Sequence, residues 1–378
     1  MIIIRVSLAS SKLFRYVLLP VFSLLLVFLA VFSLFVFYWQ YQTVQAIEIT
    51  SPDGIQSLEK ISLGGVDQWV SFRGQDTTNP VLLFLHGGPG SPEMVPMRHY
   101  NQDLENHYVV VGWDQRGAGK SFSQKLTPED VTLEQIIGDT LELTEMLQER
   151  FDVDTIYLAG HSWGSIVGTH AVHRKPEYYA AYVGIGQAVH FTEAEKISYQ
   201  FTLDEAKRRN LDQAVEELTA IGSPPYEEDA FLEKISVQRK WLFQFGGDVY
   251  GESNNVLHLL ELAKIHLFAP EYSVKDIVRY VKGNQQSVAW MLDDLTSVDF
   301  LKQVPKLEVP VFFFSGRHDY VTAYEYVEKY YEALQAPYKE MVWFEHSAHS
   351  PNFEEPERFR LEMVRVKETV DSLYGEDS

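Results

Sequence analysis

A chain of 378 residues with 46% hydrophobic side chains exceeds the usual single-domain size and can bury a large core. Its formal net charge of −21 excludes nucleic-acid binding, which needs clustered lysine and arginine against phosphate, and disfavours adhesion to anionic lipid. The absence of cysteine is compatible with either side of a membrane, and the scattered histidines lack paired ligand spacing, so neither a metal site nor a cofactor is expected.

The amino-terminal segment is a separate physical object. No charge interrupts Tyr16 to Trp39, and a helix of that length can cross a hydrocarbon core of about 30 Å. Arg5, Lys12 and Arg15 precede it, and no lysine or arginine follows until Lys60. The positive-inside rule then predicts a cytoplasmic amino terminus and an extracytoplasmic remainder, with the bilayer as partner through residues 16–39. Tyr38, Trp39 and Tyr41 suit an interfacial aromatic belt. The competing reading is a signal peptide cleaved after Val44-Gln45-Ala46, but the apolar run is much longer than such segments need. Residues 1–40 are therefore expected to be the cytoplasmic end and anchor, and 41–54 a tether.

From Ile55 to Arg73, with Gly64-Gly65 as turn, the pattern predicts an opening β-hairpin. Val81 to Leu85 reads as a buried strand that runs into His86-Gly87-Gly88-Pro89-Gly90, a loop able to bring bare amides close to a substrate. Thr155 to Ala159 is a second apolar run, followed by Gly160-His161-Ser162-Trp163-Gly164. A serine between two glycines at a strand-to-helix turn is a nucleophile elbow, because side chains at the glycine positions would collide with the neighbouring strand and helix. Val311 to Phe314 ends in Ser315-Gly316-Arg317-His318-Asp319, and Glu340 to Phe344 is followed by Glu345-His346-Ser347-Ala348-His349-Ser350-Pro351. Serine, acid and histidine thus follow in that chain order, each just past a strand, as an α/β-hydrolase requires.

These residues define a chemistry. Ser162 would attack a carbonyl carbon, His349 would take its proton, and Asp319 would hold the imidazole in the productive tautomer. The amides of Gly88 and Trp163 would receive the charge that develops on the carbonyl oxygen. His86 is expected to shape its loop by a hydrogen bond, and His318 to be a loop residue. His346 is the rival base and Asp299 the rival acid.

Four blocks carry a resemblance to the proline iminopeptidase branch of the α/β-hydrolases: HGGPG at 86–90, GWDQRGAGKS at 112–121, GHSWGS at 160–165, and the endings GRHD at 316–319 and AHSP at 348–351. The resemblance spans roughly residues 55–375. It implies an α/β fold with a mostly parallel central sheet, a helical cap, and removal of an amino-terminal residue, preferably proline, through an acyl-enzyme. It also favours His349 over His346, as the histidine of a His-Ser-Pro triplet, and makes 114–121 a structural loop, in which Asp114 and Arg116 are expected to pair. The expected core is 55–189 and 303–378, with the cap at 190–302.

Residues 190–300 hold 19 acidic against 11 basic side chains and an aromatic group that includes Trp241, Phe243, Phe245, Tyr250 and Trp290. Acidic and aromatic groups over an active site suit a substrate with a positive amino end. In the branch, cap carboxylates bind that amine, although the usual cap motif is absent from this chain. Glu193, Glu195, Asp204, Asp248 and Glu252 are the candidates, chosen for their place near the cap's start or beside its aromatic residues. Two alternatives stand beside the peptidase: a carboxylesterase or lipase-like hydrolase, and an inactive scaffold that serves as a binding protein.

Overall fold

Apolar runs of five to seven residues, buried on both faces, are what a parallel sheet demands, and the computed structural model places them at its centre. It describes residues 14–251 and 255–374. Eight strands form one sheet in the order β1-β2-β4-β3-β5-β6-β7-β8. They are β1 (Ile55–Leu63), β2 (Val66–Gly74), β3 (Val81–Leu85), β4 (Val109–Asp114), β5 (Ile156–His161), β6 (Tyr179–Ile185), β7 (Val311–Gly316) and β8 (Lys339–Phe344). The first two make the expected hairpin, and β2 runs antiparallel to β4; every pairing from β4 to β8 is parallel.

Alternation along each strand feeds two apolar layers. Leu83 and Leu85 pack with Ile136, Leu143 and Ile166 on one side of the sheet, while Leu82 and Phe84 pack with Met97, Tyr108 and Phe359 on the other. Burying each such side chain contributes about 1.5–3 kcal/mol, so the sheet is a rigid platform for the loops at its carboxyl edge.

Between β6 and β7 every regular element among the described residues is helical, from Phe191–Arg208 to Phe300–Gln303. Tyr199, Ala206, Leu218, Trp241 and Phe245 form a separate small core within this insertion.

Among the described residues, those up to Glu48 cluster with Leu267–Pro270 as one unit, and the others form a second. The first contains the helix Leu19–Ala46, part of an apolar stretch from Tyr16 that holds 18 consecutive residues of mean hydropathy 2.8 and is long enough to cross a membrane. The tether expected from residue 41 is helical as far as Ala46. No glycine or proline interrupts Tyr41 to Ala46, and the backbone ladder continues to Ile47, whose N–H donates to the Thr43 carbonyl.

Candidate active site

Loops that leave the carboxyl ends of parallel strands converge in a crevice, and all the motif segments sit there. At the end of β5 the chain reverses into the helix Trp163–Arg174, with Ser162 at φ 53°, ψ −116°. An L-residue adopts that geometry only under constraint. Two glycines supply part of it: a Cβ at Gly160 would lie 2.3 Å from the Gly164 carbonyl oxygen, and one at Gly164 would lie 2.1 Å from the Leu85 oxygen. Ser162 N–H donates to Ile185 O at 2.9 Å, which ties the elbow to the end of β6.

The next residue along, Gly186, lies against the imidazole of His349, 3.1 Å from where its Cβ would stand. Ser162 and His349 are thus braced by consecutive residues of one turn. His349 Nδ1 is 3.0 Å from Asp319 Oδ2. Asp319 is fully buried, and it also accepts from Val321 N and Thr322 N through Oδ1 and from the Thr322 hydroxyl through Oδ2. Burial alone would raise its pKa, but His349 and the Thr322 donors outweigh burial and hold the carboxyl below its ordinary value. An acceptor-only carboxylate assigns the proton to Nδ1, leaving Nε2 as the basic nitrogen.

The rivals lie elsewhere. Asp299 pairs with Lys302 at 2.7 Å and faces His190 at 3.9 Å. His346 is exposed, its backbone N–H on Glu355, and its ring beside Tyr250. His318 stacks near the same tyrosine.

A polar network joins three of the motifs. His86 is buried; its Nε2 accepts from Gln115 N at 3.2 Å, so Nδ1 carries the proton and donates to Gly87 O at 2.8 Å. Burial lowers its pKa and keeps the ring neutral. The Gln115 side chain accepts from Trp163 Nε1 at 3.1 Å. Gly88 has φ 118°, a conformation suited to glycine, and Trp163 is the first residue of its helix, so its amide has no intrahelical acceptor.

The expected Asp114–Arg116 pair does not form. Arg116 instead grips Asp139 with two bonds of 2.6 Å and reaches the Asp130 carbonyl, because its side chain extends toward the β1–β2 turn and the helix Leu133–Phe151. Asp114 turns to the Tyr272 hydroxyl at 2.6 Å and to Lys120 N at 2.8 Å, while its Oδ1 is buried without a partner. Burial pushes this carboxyl up to about 7. The native state therefore binds more protons than the unfolded chain between about pH 4 and 7, and stability falls as pH rises through that window. Asp114→Asn retains an acceptor for Tyr272 and Lys120 N and removes the charge. The wild type should lose on the order of 3 kcal/mol more than the variant between pH 5 and 8, measured by thermal unfolding at both pH values.

Of the five cap carboxylates, four lie among the described residues. Glu193 pairs with Lys196, and Asp204 accepts from Gln200 on the surface. Glu195 is buried, but Arg239 and Gln238 already occupy its two oxygens. Glu252 lies outside the described residues. Asp248 alone of the four lines a cavity of about 470 Å³, with Glu93, Phe243, Tyr280, Ser350 and Phe353 among the other walls. Its backbone oxygen accepts from His349 N at 3.0 Å, and the neighbouring Gly247 oxygen accepts from Tyr320 N, so this cap segment is tied to the loops of both Asp319 and His349.

Two residues at this centre escaped sequence reasoning. His161 Nδ1 is 2.7 Å from Glu93 Oε1, and its Nε2 is 3.1 Å from the His349 carbonyl oxygen. Both partners are acceptors, so both ring nitrogens donate. Burial opposes this charge, yet Glu93 and the His349 carbonyl outweigh it and raise the His161 pKa. The available signal was an acid only three residues beyond the HGGPG loop.

The family model for the alpha/beta hydrolase fold matches residues 80–356. The probable aminopeptidase YbaC of Bacillus subtilis (strain 168) is 34% identical over 321 residues, covering 84% of this chain and 98% of its own. The proline iminopeptidase of Heyndrickxia coagulans is 24% identical over 313 residues, or 78% of this chain and 93% of its own. Among solved structures, a proline iminopeptidase-related protein of Thermus thermophilus superposes with TM-score 0.60 at 20% identity, covering 82% of this chain and 96% of that one. A membrane phospholipase A, described as a bacterial virulence factor, superposes with TM-score 0.61 at 18% identity, covering 93% of this chain and 98% of that one. At such identities the structural likeness establishes the fold.

Proposed function

We propose, for a chain that belongs to the α/β-hydrolase family and to its proline iminopeptidase-like branch, that it is a membrane-anchored serine aminopeptidase releasing an amino-terminal residue, with proline preferred. The hydrogen bond from His349 to a buried, ionised Asp319 carries this reading, since it leaves a basic Nε2 on a loop braced by the same turn as the Ser162 elbow. Ser162 attacks the carbonyl carbon as His349 takes its proton. The negative charge on the tetrahedral oxygen falls to the Gly88 and Trp163 amides. The imidazolium then protonates the leaving amine, and water, activated by the same histidine, releases the acyl group.

The peptidase reading draws on the aminopeptidase names of the relatives. Full-length protein in detergent should cleave prolyl p-nitroanilide well over tenfold faster, in kcat/KM, than its N-acetyl derivative. Equal rates would remove the aminopeptidase and leave the carboxylesterase, which needs no free amine.

Anchoring is supported by the apolar helix and by the basic residues that precede it. Protease added outside intact cells should degrade the catalytic region, with Met1 to Trp39 retained in the mature chain. Amino-terminal sequencing that begins at Ile47 would replace the anchor with a cleaved signal.

A further inference from the structure

We infer, on the reading of Ser162 and His349 as nucleophile and base, that His161 is a positioning residue for that base: donating from both ring nitrogens, it ties the His349 main chain to Glu93, and it releases that chain when the ring loses a proton at alkaline pH.

A catalytic imidazole needs its backbone held as well as its ring. The ring of His349 is set by Asp319, and its backbone N–H donates to Asp248 O at 3.0 Å. Its carbonyl oxygen fits beside Gly186, where a Cβ would stand 2.7 Å away, and accepts from His161 Nε2 at 3.1 Å. His161 directly precedes Ser162, so one side chain joins the elbow to the loop of the base. At its other nitrogen Glu93 Oε1 lies at 2.7 Å, and the residue is 4% exposed.

Only the charged ring satisfies both acceptors. Burial by itself would discharge it, but Glu93, the His349 carbonyl and Asp319 outweigh burial and raise its pKa. Of the two other histidines at this centre, His86 is kept neutral by burial, and His349, its ring centroid 5.0 Å from that of His161, is neutral whenever it can act as base. A neutral His161 has one proton for two acceptors. The proton stays on Nδ1, because a carboxylate is a stronger acceptor than a main-chain carbonyl. Nε2 then turns a lone pair toward the His349 oxygen, and the Ser350 hydroxyl, 3.4 Å away, becomes its donor. Deprotonation above the ordinary histidine range therefore frees the carbonyl of the base while the bond to Glu93 persists.

The test is the rate of labelling by a fluorophosphonate, which needs Ser162 and His349 but carries no titrating group, in the full-length protein in detergent across pH. In the wild type the labelling rate constant should rise as His349 loses its proton and then fall about tenfold above the ordinary histidine range, with circular dichroism unchanged. Glu93→Gln keeps an acceptor for Nδ1 and removes the charge that favours the imidazolium, so the falling limb should move down by about one pH unit or more. His161→Gln can bring an amide nitrogen to the place of Nε2 and cannot titrate; it should keep roughly a tenth or more of the rate and show no falling limb. His161→Asn reaches only as far as Nδ1 and should lose about 30-fold at every pH, with the affinity for the probe unchanged. His161→Gln supplies the measurement if Glu93→Gln does not fold. A wild type without a falling limb, a limb unmoved in Glu93→Gln or retained in His161→Gln, or His161→Asn labelled as fast as the wild type overturns the inference. A wild type that takes no label at all would instead bring down the serine-hydrolase reading itself, so the two failures are distinguishable.

Discussion

Ser162→Ala should abolish covalent labelling by a fluorophosphonate and lower turnover on the order of 10⁶-fold, and His349→Ala should cost about as much. The two losses match because a serine hydroxyl is a weak nucleophile without its base, and the base has no other task once the hydroxyl is gone. Alanine at 162 keeps the backbone bond to Ile185, so the elbow should still fold and circular dichroism should be unchanged. The comparison that decides the base is His346→Ala, whose exposed ring lies beside Tyr250 and away from Asp319. Retention of most activity in His349→Ala, with loss in His346→Ala, would show that the wrong histidine carries the proton.

Asp319→Asn should cost about 10³–10⁴ in kcat without unfolding the protein, by analogy with the same change in other triads. The reason lies in the four donors around this side chain. Oδ1 accepts from two backbone amides, Val321 N and Thr322 N, which cannot turn away. The asparagine oxygen is therefore held on that side, and its NH₂ group faces His349 Nδ1. That nitrogen must then accept, the ring proton moves to Nε2, and the imidazole can no longer take a proton from Ser162. Asp299→Asn should leave kcat within about twofold, since Asp299 is engaged by Lys302 and lies beside His190. The kcat values of the two variants on one substrate check the assignment, and a damaging Asp299→Asn would move the acid.

Much of the fold was legible because it is locally encoded. β3, β5 and β7 are short apolar runs, each followed by glycine within a few residues, and a run buried on both faces has few alternatives to a central parallel strand. The hairpin at Ile55 to Gly74 was equally visible, since its turn is Gly64-Gly65, both at positive φ. The limit of the anchor helix was less so. Only the want of a breaker between Tyr41 and Ala46 marked its continuation, and apolar composition had already faded by then.

The site divides in the same way. Ser162 between its glycines is a steric necessity written within five residues, and the order of serine, acid and histidine after successive strands was readable along the chain. Which charged groups meet was decided by the tertiary structure. Arg116 passes over Asp114, two residues away, to reach Asp139, because side-chain reach and direction in the folded loop outweigh nearness in sequence. Glu195 is spent on Arg239, whereas Glu93, far from the cap in sequence, meets His161 across 68 positions and stands at the elbow. A local pattern can specify backbone geometry through sterics, but the partner of a charge depends on where distant segments place their side chains and on what burial demands of them. The sequence alone thus determined the strand platform, the elbow and the order of the candidate catalytic groups; the folded chain alone decided which partner each buried charge meets, because that depends on where distant segments place their side chains.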